Sequence, residues 1–426
     1  MLPAAAGNGL AMRAGLFLDA LAADHDVFLL VVPVAAPADS LSSSPFVARR
    51  TRRAVIWPLE GRGDSLFRLT QGLRDPVARE AALAAYPRPA LCRFATPQAV
   101  RDAAVRFADV AFDVVHTLRL YLAPFAAPYL DAAARTGHPS CVLDLDEDEP
   151  TTRRRLGAQH AARGDSATAA AETAEAGKYE RLEGTELGRF HRVLVCSEID
   201  AAAVNARVPA ARVSVIPNAV RVPADTGRRP RAEAFTLLLV GSMGYGPNAA
   251  AAEELCREVL PRVRAAADRE VRVTVVGSRP PPEVARLAEI PGVTVTGAVP
   301  EVTPHYDRAA VAVIPVRAGG GTRIKMLEAF AHRVPVVATP MAAEGLDVTP
   351  GRHLLVGDDP DALAAACVAL LREPALGRQL AADAYTLVRR RYALPVVARA
   401  IRTLYRDLRE VPAALPAVVD GEVAHP

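Results

Sequence analysis

VAVIPVRAGGGTRIKMLEAFAH, residues 311 to 332, decides the fold. An apolar run ends at Val316, a turn containing three glycines follows, and then apolar residues recur at helical spacing, with Ile324, Leu327 and Ala331 on one face. Strand, glycine turn and helix in this order make one unit of a parallel sheet covered by helices. Gly319, Gly320 and Gly321 allow positive φ and let the backbone approach a ligand with no Cβ in the way. The first turn of the helix carries free N–H groups and a dipole equivalent to about +0.5 charge, which together favour an anion. Arg323 and Lys325 put full cations into that turn, where the helix's own electrostatics prefer acidic residues, so a bound phosphate is expected there. The stretch is not GxxxxGK[ST], which argues against a P-loop hydrolase. Glu328, two turns after the glycines, is placed to accept hydrogen bonds from a ribose diol.

Outward from this unit the same rhythm repeats. Nearly continuous apolar runs at 236–241, 271–277, 293–297, 311–316, 335–339 and 353–357 alternate with helical patterns, as doubly covered parallel strands do. A second series, less regular, runs through 27–34, 54–59, 113–117, 141–146, 192–197 and 213–218, with a long Ala, Glu and Arg segment at 151–190 expected to be helical. The polar stretch RVPADTGRRPRAEA, residues 221–234, separates the two series. The expected organisation is a domain over 1–222, a second over 223–393, and a closing helix and tail over 394–426. Doubly wound sheets bind ligands at the carboxyl ends of their strands, so a site in a cleft between the domains is expected. The beginning departs from the pattern: MLPAAAGNGLAMRAGLFLDALAADH passes almost at once into a turn and an amphipathic helix. Either a first strand is missing from this sequence or the sheet begins one strand late.

A length of 426 residues suits two domains, and half of the residues are hydrophobic, enough for two cores. A formal charge of +3 with no long basic block argues against nucleic acid as a partner. The five cysteines, 92, 141, 196, 256 and 367, have neither CxxC nor His spacing and read as small buried hydrophobes in a reducing cytosol. No apolar run has the roughly 18 residues of a membrane span, so a soluble, cytoplasmic protein is expected. The run Arg153–Arg155 reads as a solvated helix face, with a peripheral membrane or substrate contact as its alternative. Of 51 basic residues only Lys178 and Lys325 are lysines, so each invites a closer look.

GGGTRIKMLEAFAHRVPVVATPMAAEGL resembles the nucleotide-sugar site of the retaining glycosyltransferases of family 4, which have the GT-B architecture of two facing Rossmann-like domains. GNGLAMRAGLFLDALA, FDVVH, VLVCSEID, VIPNAV, LLLVGSMGYGPN and HLLVGDDPDALAAACVALLREP extend the similarity over most of the chain. The resemblance implies an α/β fold and transfer of a sugar from a nucleoside-diphosphate donor to an unidentified acceptor hydroxyl (saccharide, lipid or small aglycone), without cofactor or metal. The implied donor-binding residues are Gly7, Gly9, Gly241, Met243, Gly319, Gly320, Gly321, Thr322, Arg323, Lys325 and Glu328. The family's pair of glutamates eight positions apart falls on Gly320 and Glu328, so the first is absent here. The Arg and Lys that usually follow the first strand of the second domain are also absent from GSMGYGPN, and Arg323 and Lys325 are the expected substitutes, Lys325 foremost. In the first domain Asp144 stands where many relatives carry a histidine, with Asp146 the neighbouring choice. A carboxylate there can orient an acceptor hydroxyl or stabilise positive charge on the sugar. His116 is the other catalytic candidate. DLDED also invites a metal reading, which the phosphate-binding half argues against. A catalytically silent sugar-nucleotide binder is the main alternative, and a sugar-nucleotide epimerase a lesser one.

Overall fold

The computed structural model describes residues 2–34, 44–57, 63–223, 235–320 and 324–410. They divide into two compact units: the described residues of 1–3, 18–216 and 400–426 form the first, and those of 4–17 and 217–399 form the second. Residues 4–17 therefore group with the later part of the chain, which its linear order does not reveal.

All twelve strands anticipated from the apolar runs are present. The second unit holds β7 (Phe235–Val240), β8 (Val271–Val276), β9 (Val293–Val295), β10 (Val311–Ile314), β11 (Val336–Ala338) and β12 (Leu355–Val356) in one parallel sheet ordered β12-β11-β10-β7-β8-β9. The order reverses between β7 and β10, where Val311 faces Leu237. This is the switch point at which doubly wound sheets leave a crevice. Leu237, Leu239, Val273, Val275, Val313 and Val337 are all fully buried, as helices on both faces require.

In the first unit β3 (Val114–Leu118), β4 (Ser140–Asp144), β5 (Arg192–Val195) and β6 (Val213–Val215) form a four-stranded parallel sheet in sequence order. β1 (Phe28–Val31) and β2 (Arg53–Ile56) pair with each other in a separate two-stranded sheet. The helices that matter below are α1 (Gly9–Leu21), α2 (Glu149–Ala162), α3 (Ser166–Glu186), α4 (Gly246–Glu254), α5 (Thr303–Arg308), α6 (Ile324–Ala331) and α7 (Leu394–Glu410). α2 and α3 fill the segment expected to be helical, each started by an aspartate, Asp148 and Asp165, whose side chain accepts from a first-turn N–H.

The expectation that Arg153–Arg155 form a solvated face holds for Arg154, which is exposed, but not for the half-buried Arg153. Arg153 donates to Glu172 at 3.2 Å and Arg154 pairs with Glu180, so both arginines join α2 to α3. Lys178 is also accounted for structurally: its buried ammonium donates to the Leu83 carbonyl at 2.8 Å and to Glu175 at 3.1 Å. All five cysteines are free and buried, and no helix among the described residues is long and apolar enough to cross a membrane.

The carboxyl ends of β7 and β8 come unusually close. A Cβ placed on Gly277 would lie 1.6 Å from the Gly241 carbonyl oxygen. Gly277→Ala is therefore expected to cost about 3 kcal/mol or more and to lower Tm by roughly 10 °C. Gly246→Ala, whose Cβ meets open space, should melt with the parent. Equal melting of all three proteins would refute the close approach.

Candidate functional site

Several predicted residues meet at the carboxyl end of β7 in the second unit. Asn248, at the start of α4 and buried, donates through Nδ2 to the Ser242 carbonyl at 2.9 Å and receives the Lys325 ammonium on Oδ1. The amide thus ties the lysine of α6 to the turn after β7. Gly241 gives it room, since a Cβ there would lie 2.8 Å from Asn248 Nδ2 and 3.3 Å from Lys325 Nζ. The loop GSMGYGPN lacks a cation of its own, and Lys325 reaches it from α6.

Gly319, after β10, has φ of +101° and passes Tyr245 so closely that a Cβ would lie 2.5 Å from the phenol oxygen. Only glycine meets both conditions. Gly320, next in the chain, is half-buried. Gly9 begins α1 and lies against Ile324 of α6, its virtual Cβ 3.5 Å from Cδ1, so the first glycine turn and the helix of the third are neighbours. Gly7 has φ of +123° and open space around it. Gly321, Thr322 and Arg323 lie outside the described residues. Met243 requires a correction: its side chain is fully buried in the core and its N–H donates to the Ser278 carbonyl at 2.9 Å, so neither is open to a donor.

Glu328, one turn beyond Lys325, is held from below. The hydroxyl of Tyr306, a fully buried residue of α5, donates to Glu328 Oε2 at 3.1 Å and lies 3.2 Å from the Lys325 carbonyl. The Tyr306 ring is stacked on His332 with centroids 5.0 Å apart. Burial raises the pKa of Glu328 above 4.5, against the opposing pull of the Tyr306 hydrogen bond and the Lys325 charge. Burial and the neighbouring Glu328 push the Tyr306 phenol well above its ordinary value, so it remains a donor. Asn248 and Tyr306 escaped the sequence reading. The one available signal was an asparagine directly before an Ala-rich run, and Tyr306 gave none beyond its place in an amphipathic turn.

The first unit is organised around a residue that the sequence also did not single out. Arg119 follows β3 with φ of +79°, and its backbone N–H donates to the Asp144 carbonyl at 2.7 Å. Its buried guanidinium donates to Asp146 and Glu147, both at 3.0 Å, and to Glu149. Burial opposes its charge, but Glu149, Glu147 and Asp146 outweigh that and keep its pKa well above normal. Burial raises the pKa of Glu149, with Arg119 pulling the other way. Five acids within DLDEDE needed a cation, and that excess was the signal available in the sequence.

The expected roles of Asp144 and Asp146 change accordingly. Asp144 is fully buried at the end of β4, and its Oδ1 accepts from the Asp146 N–H at 3.1 Å. Asp146, with φ of +59°, is bound by Arg119 and accepts at its carbonyl from the Cys196 thiol at 3.0 Å. Both carboxylates face inward and fix a loop. Among the described residues no cluster of three or more His, Cys, Asp or Glu is arranged to hold a metal. His116 also serves another purpose than the one expected: it lies within β3, and its Nδ1 is hydrogen-bonded to the Tyr405 hydroxyl, docking α7 on the sheet.

Residues 234–373 match the family model described as glycosyl transferases group 1. No curated protein matches the chain. Among solved structures, sucrose-phosphate synthase from Thermosynechococcus elongatus is similar with a TM-score of 0.65 at 17% identity, covering 94% of each chain. A UDP-forming α,α-trehalose-phosphate synthase from Burkholderia xenovorans, in complex with glucose-6-phosphate, gives 0.61 at 13% over 96% of this chain and 97% of that one. Anabaena HepE, in complex with UDP and glucose, gives 0.55 at 12% over 90% and 100%. At these identities the likeness establishes the fold, which is that of the GT-B glycosyltransferases.

Two outcomes follow from the charges. With its folded pKa raised, Glu328 binds its proton more tightly in the native state than in the unfolded chain, so its contribution to stability falls as pH rises from about 4.5 through the raised value. Glu328→Gln is therefore expected to match the parent at pH 4 and to melt higher at pH 8, and a pH-independent difference would contradict this. Arg119→Met leaves buried acids unpaired and should cost about 3–5 kcal/mol by urea denaturation. Arg119→Lys should recover only part, because one ammonium cannot reproduce the fork.

Proposed function

We propose that this chain, whose residues 234–373 match the family model of the glycosyl transferases group 1, is a retaining glycosyltransferase that moves a sugar from a nucleoside diphosphate to an acceptor hydroxyl. One observation carries the assignment: the Lys325 ammonium, tied by Asn248 to the glycine turn after β7, stands where two strand ends diverge at a switch point. A cation there suits a diphosphate, and glycine at 241 lets that cation and the Asn248 amide reach the end of β7. Glu328 accepts the ribose hydroxyls, its Oε2 steadied by Tyr306. That the similar structure of Anabaena HepE holds UDP and glucose supports a nucleotide-sugar donor.

In the proposed reaction the bond from the anomeric carbon to the diphosphate oxygen breaks as the acceptor oxygen bonds to the same face of that carbon. The acceptor proton passes to the departing phosphate oxygen. Lys325 stabilises the charge that grows on the leaving diphosphate, the main electrostatic demand of a transfer without metal. With Asp144 and Asp146 turned inward, neither is assigned the acceptor proton, and together with Arg119 they hold the loop after β4. The same inward orientation favours a second reading, a silent sugar-nucleotide binder. Incubation with a panel of nucleotide sugars, with and without acceptors, separates the two: the transferase reading requires transfer or slow donor hydrolysis, and binding with neither would establish the silent binder.

Lys325→Ala is expected to weaken nucleoside-diphosphate binding roughly 30-fold, about 2 kcal/mol, while changing nucleoside binding less than threefold. Asn248→Ala should show the same selectivity at smaller size. Calorimetric titration with both ligands reads the difference, and equal losses would remove Lys325 from the diphosphate.

A further inference from the structure

The first unit has a hollow of about 310 Å³ lined by Asp113, His138, Arg406 and Arg409, all four of which belong to that unit. Asp113 directly precedes β3, His138 lies two residues ahead of β4, and the two arginines stand on the last turns of α7. The hollow is therefore at the amino ends of the strands. Arg119 and the loop after β4 lie at the carboxyl ends, where doubly wound sheets bind their ligands, so these four residues take no part in the proposed reaction.

One buried residue fixes the rim. Ser140, the first residue of β4, donates from its N–H to the Asp113 carbonyl at 2.9 Å and from its hydroxyl to the Leu408 carbonyl at 3.0 Å. It thereby joins the segments that carry Asp113, His138 and Arg409, and it satisfies a carbonyl that the end of α7 leaves without a partner in the helix. Thr136 holds the middle segment: its hydroxyl lies 2.8 Å from the His138 carbonyl and accepts from the His138 N–H at 3.3 Å. Tyr405 and Leu408 are buried, so the helix presents Arg406 and Arg409 from a seated face.

The charges around the hollow are unpaired. Arg406 and Arg409, three positions apart, are neighbours on the helix surface and repel each other. Among the described residues neither guanidinium has a carboxylate within ion-pair distance, and Asp113, on the same hollow, pairs with neither. More cations stand nearby. The pKa of the buried His191, just ahead of β5, is lowered by burial first and then by Arg212, Arg192 and His138. A helix end favours cations on its own account, which accounts for arginines on the last turns of α7. It does not account for a carboxylate that lines the same hollow and stays apart from them.

We propose that this hollow binds a phosphate monoester carrying free hydroxyl groups, a sugar phosphate in chemical class, with its phosphate on Arg406 and Arg409 and a hydroxyl on Asp113. Guanidinium forks match phosphate oxygens in pairs, and His138 supplies a further donor. A carboxylate accepts from a hydroxyl but repels an anion, so Asp113 selects a ligand with both groups over bare phosphate. The volume is at the small end of ligand sites, in keeping with one sugar ring and its phosphate. Bound there, the ligand links the end of α7 to the amino ends of β3 and β4. The inference comes from this hollow alone and is independent of the proposed transfer.

The test is calorimetric titration of the full chain with glucose 6-phosphate, inorganic phosphate and glucose, at low ionic strength because the arginines are exposed. The parent should bind glucose 6-phosphate about tenfold more tightly than inorganic phosphate. The double variant Arg406→Gln/Arg409→Gln should weaken both anions at least about 30-fold, whereas Arg399→Gln, on the same helix but outside the hollow, should leave them unchanged. Asp113→Ala separates the roles by sign: it should weaken glucose 6-phosphate and tighten inorganic phosphate, because it removes an acceptor and a repelling charge together. All of these positions are exposed, so the variants should melt with the parent. No binding by the parent, or binding unchanged in the double variant, would overturn the proposal. Equal affinity for the two anions, both tightened by Asp113→Ala, would mean an adventitious ion only and overturn it as well.

Discussion

At the carboxyl ends of β7 and β8 two backbones approach to a distance that excludes any side chain, and the second unit is arranged around that constraint. The Gly241 carbonyl lies where a Cβ of Gly277 would be. The Gly241 Cα faces the Asn248 amide and the Lys325 ammonium with no room for a methyl group. A cation on one helix is thereby brought onto a turn belonging to another strand and fixed there by a neutral amide. A cation of α6 is thus delivered to the turn after β7, whose own loop, GSMGYGPN, contains no lysine or arginine.

The two lysines of the chain show how differently the same group is used. Lys178 is buried beside Glu175 and a carbonyl, which compensates its desolvation at once and leaves it nothing else to do. Lys325 is half-buried, donates to the Asn248 amide, and its charge acts on the carboxyl of Glu328. Glu328 follows the same logic with the opposite sign. Its burial raises its pKa and costs stability, and Tyr306 steadies one oxygen without supplying a counter-charge. Residues kept at a cost to the folded state are expected where a ligand later compensates them.

Much of this was legible in the sequence, for identifiable reasons. Twelve apolar runs became twelve strands because doubly covered strands have no polar face to interrupt the run. Gly319, Lys325 and Glu328 stood out because chain geometry and residue rarity single them out, and Gly241 through the resemblance alone. The acidic stretch misled because sequence shows charge without direction. DLDEDE looked like open carboxylates, but the Asp144 side chain turns into the protein, and Asp146, Glu147 and Glu149 close on Arg119, some 30 positions away in the chain. His116 misled similarly, since its partner, Tyr405, lies on the last described helix.

The two units differ in what their edges require. In the second, β7 and β10 occupy the centre of a continuous six-stranded sheet, and every strand between the outermost two is bonded on both sides. In the first, β3 is an edge by hydrogen bonding but lies beside β1 in the shared core, and an apolar strand edge left open is a template for pairing. Lys, Pro and bulges are the usual protection of such edges, yet VVHTL and FLLV carry none of the residues that provide it. β1 and β3 therefore present apolar edges whose half-buried side chains are covered by the shared clusters rather than by a hydrogen-bonded neighbour.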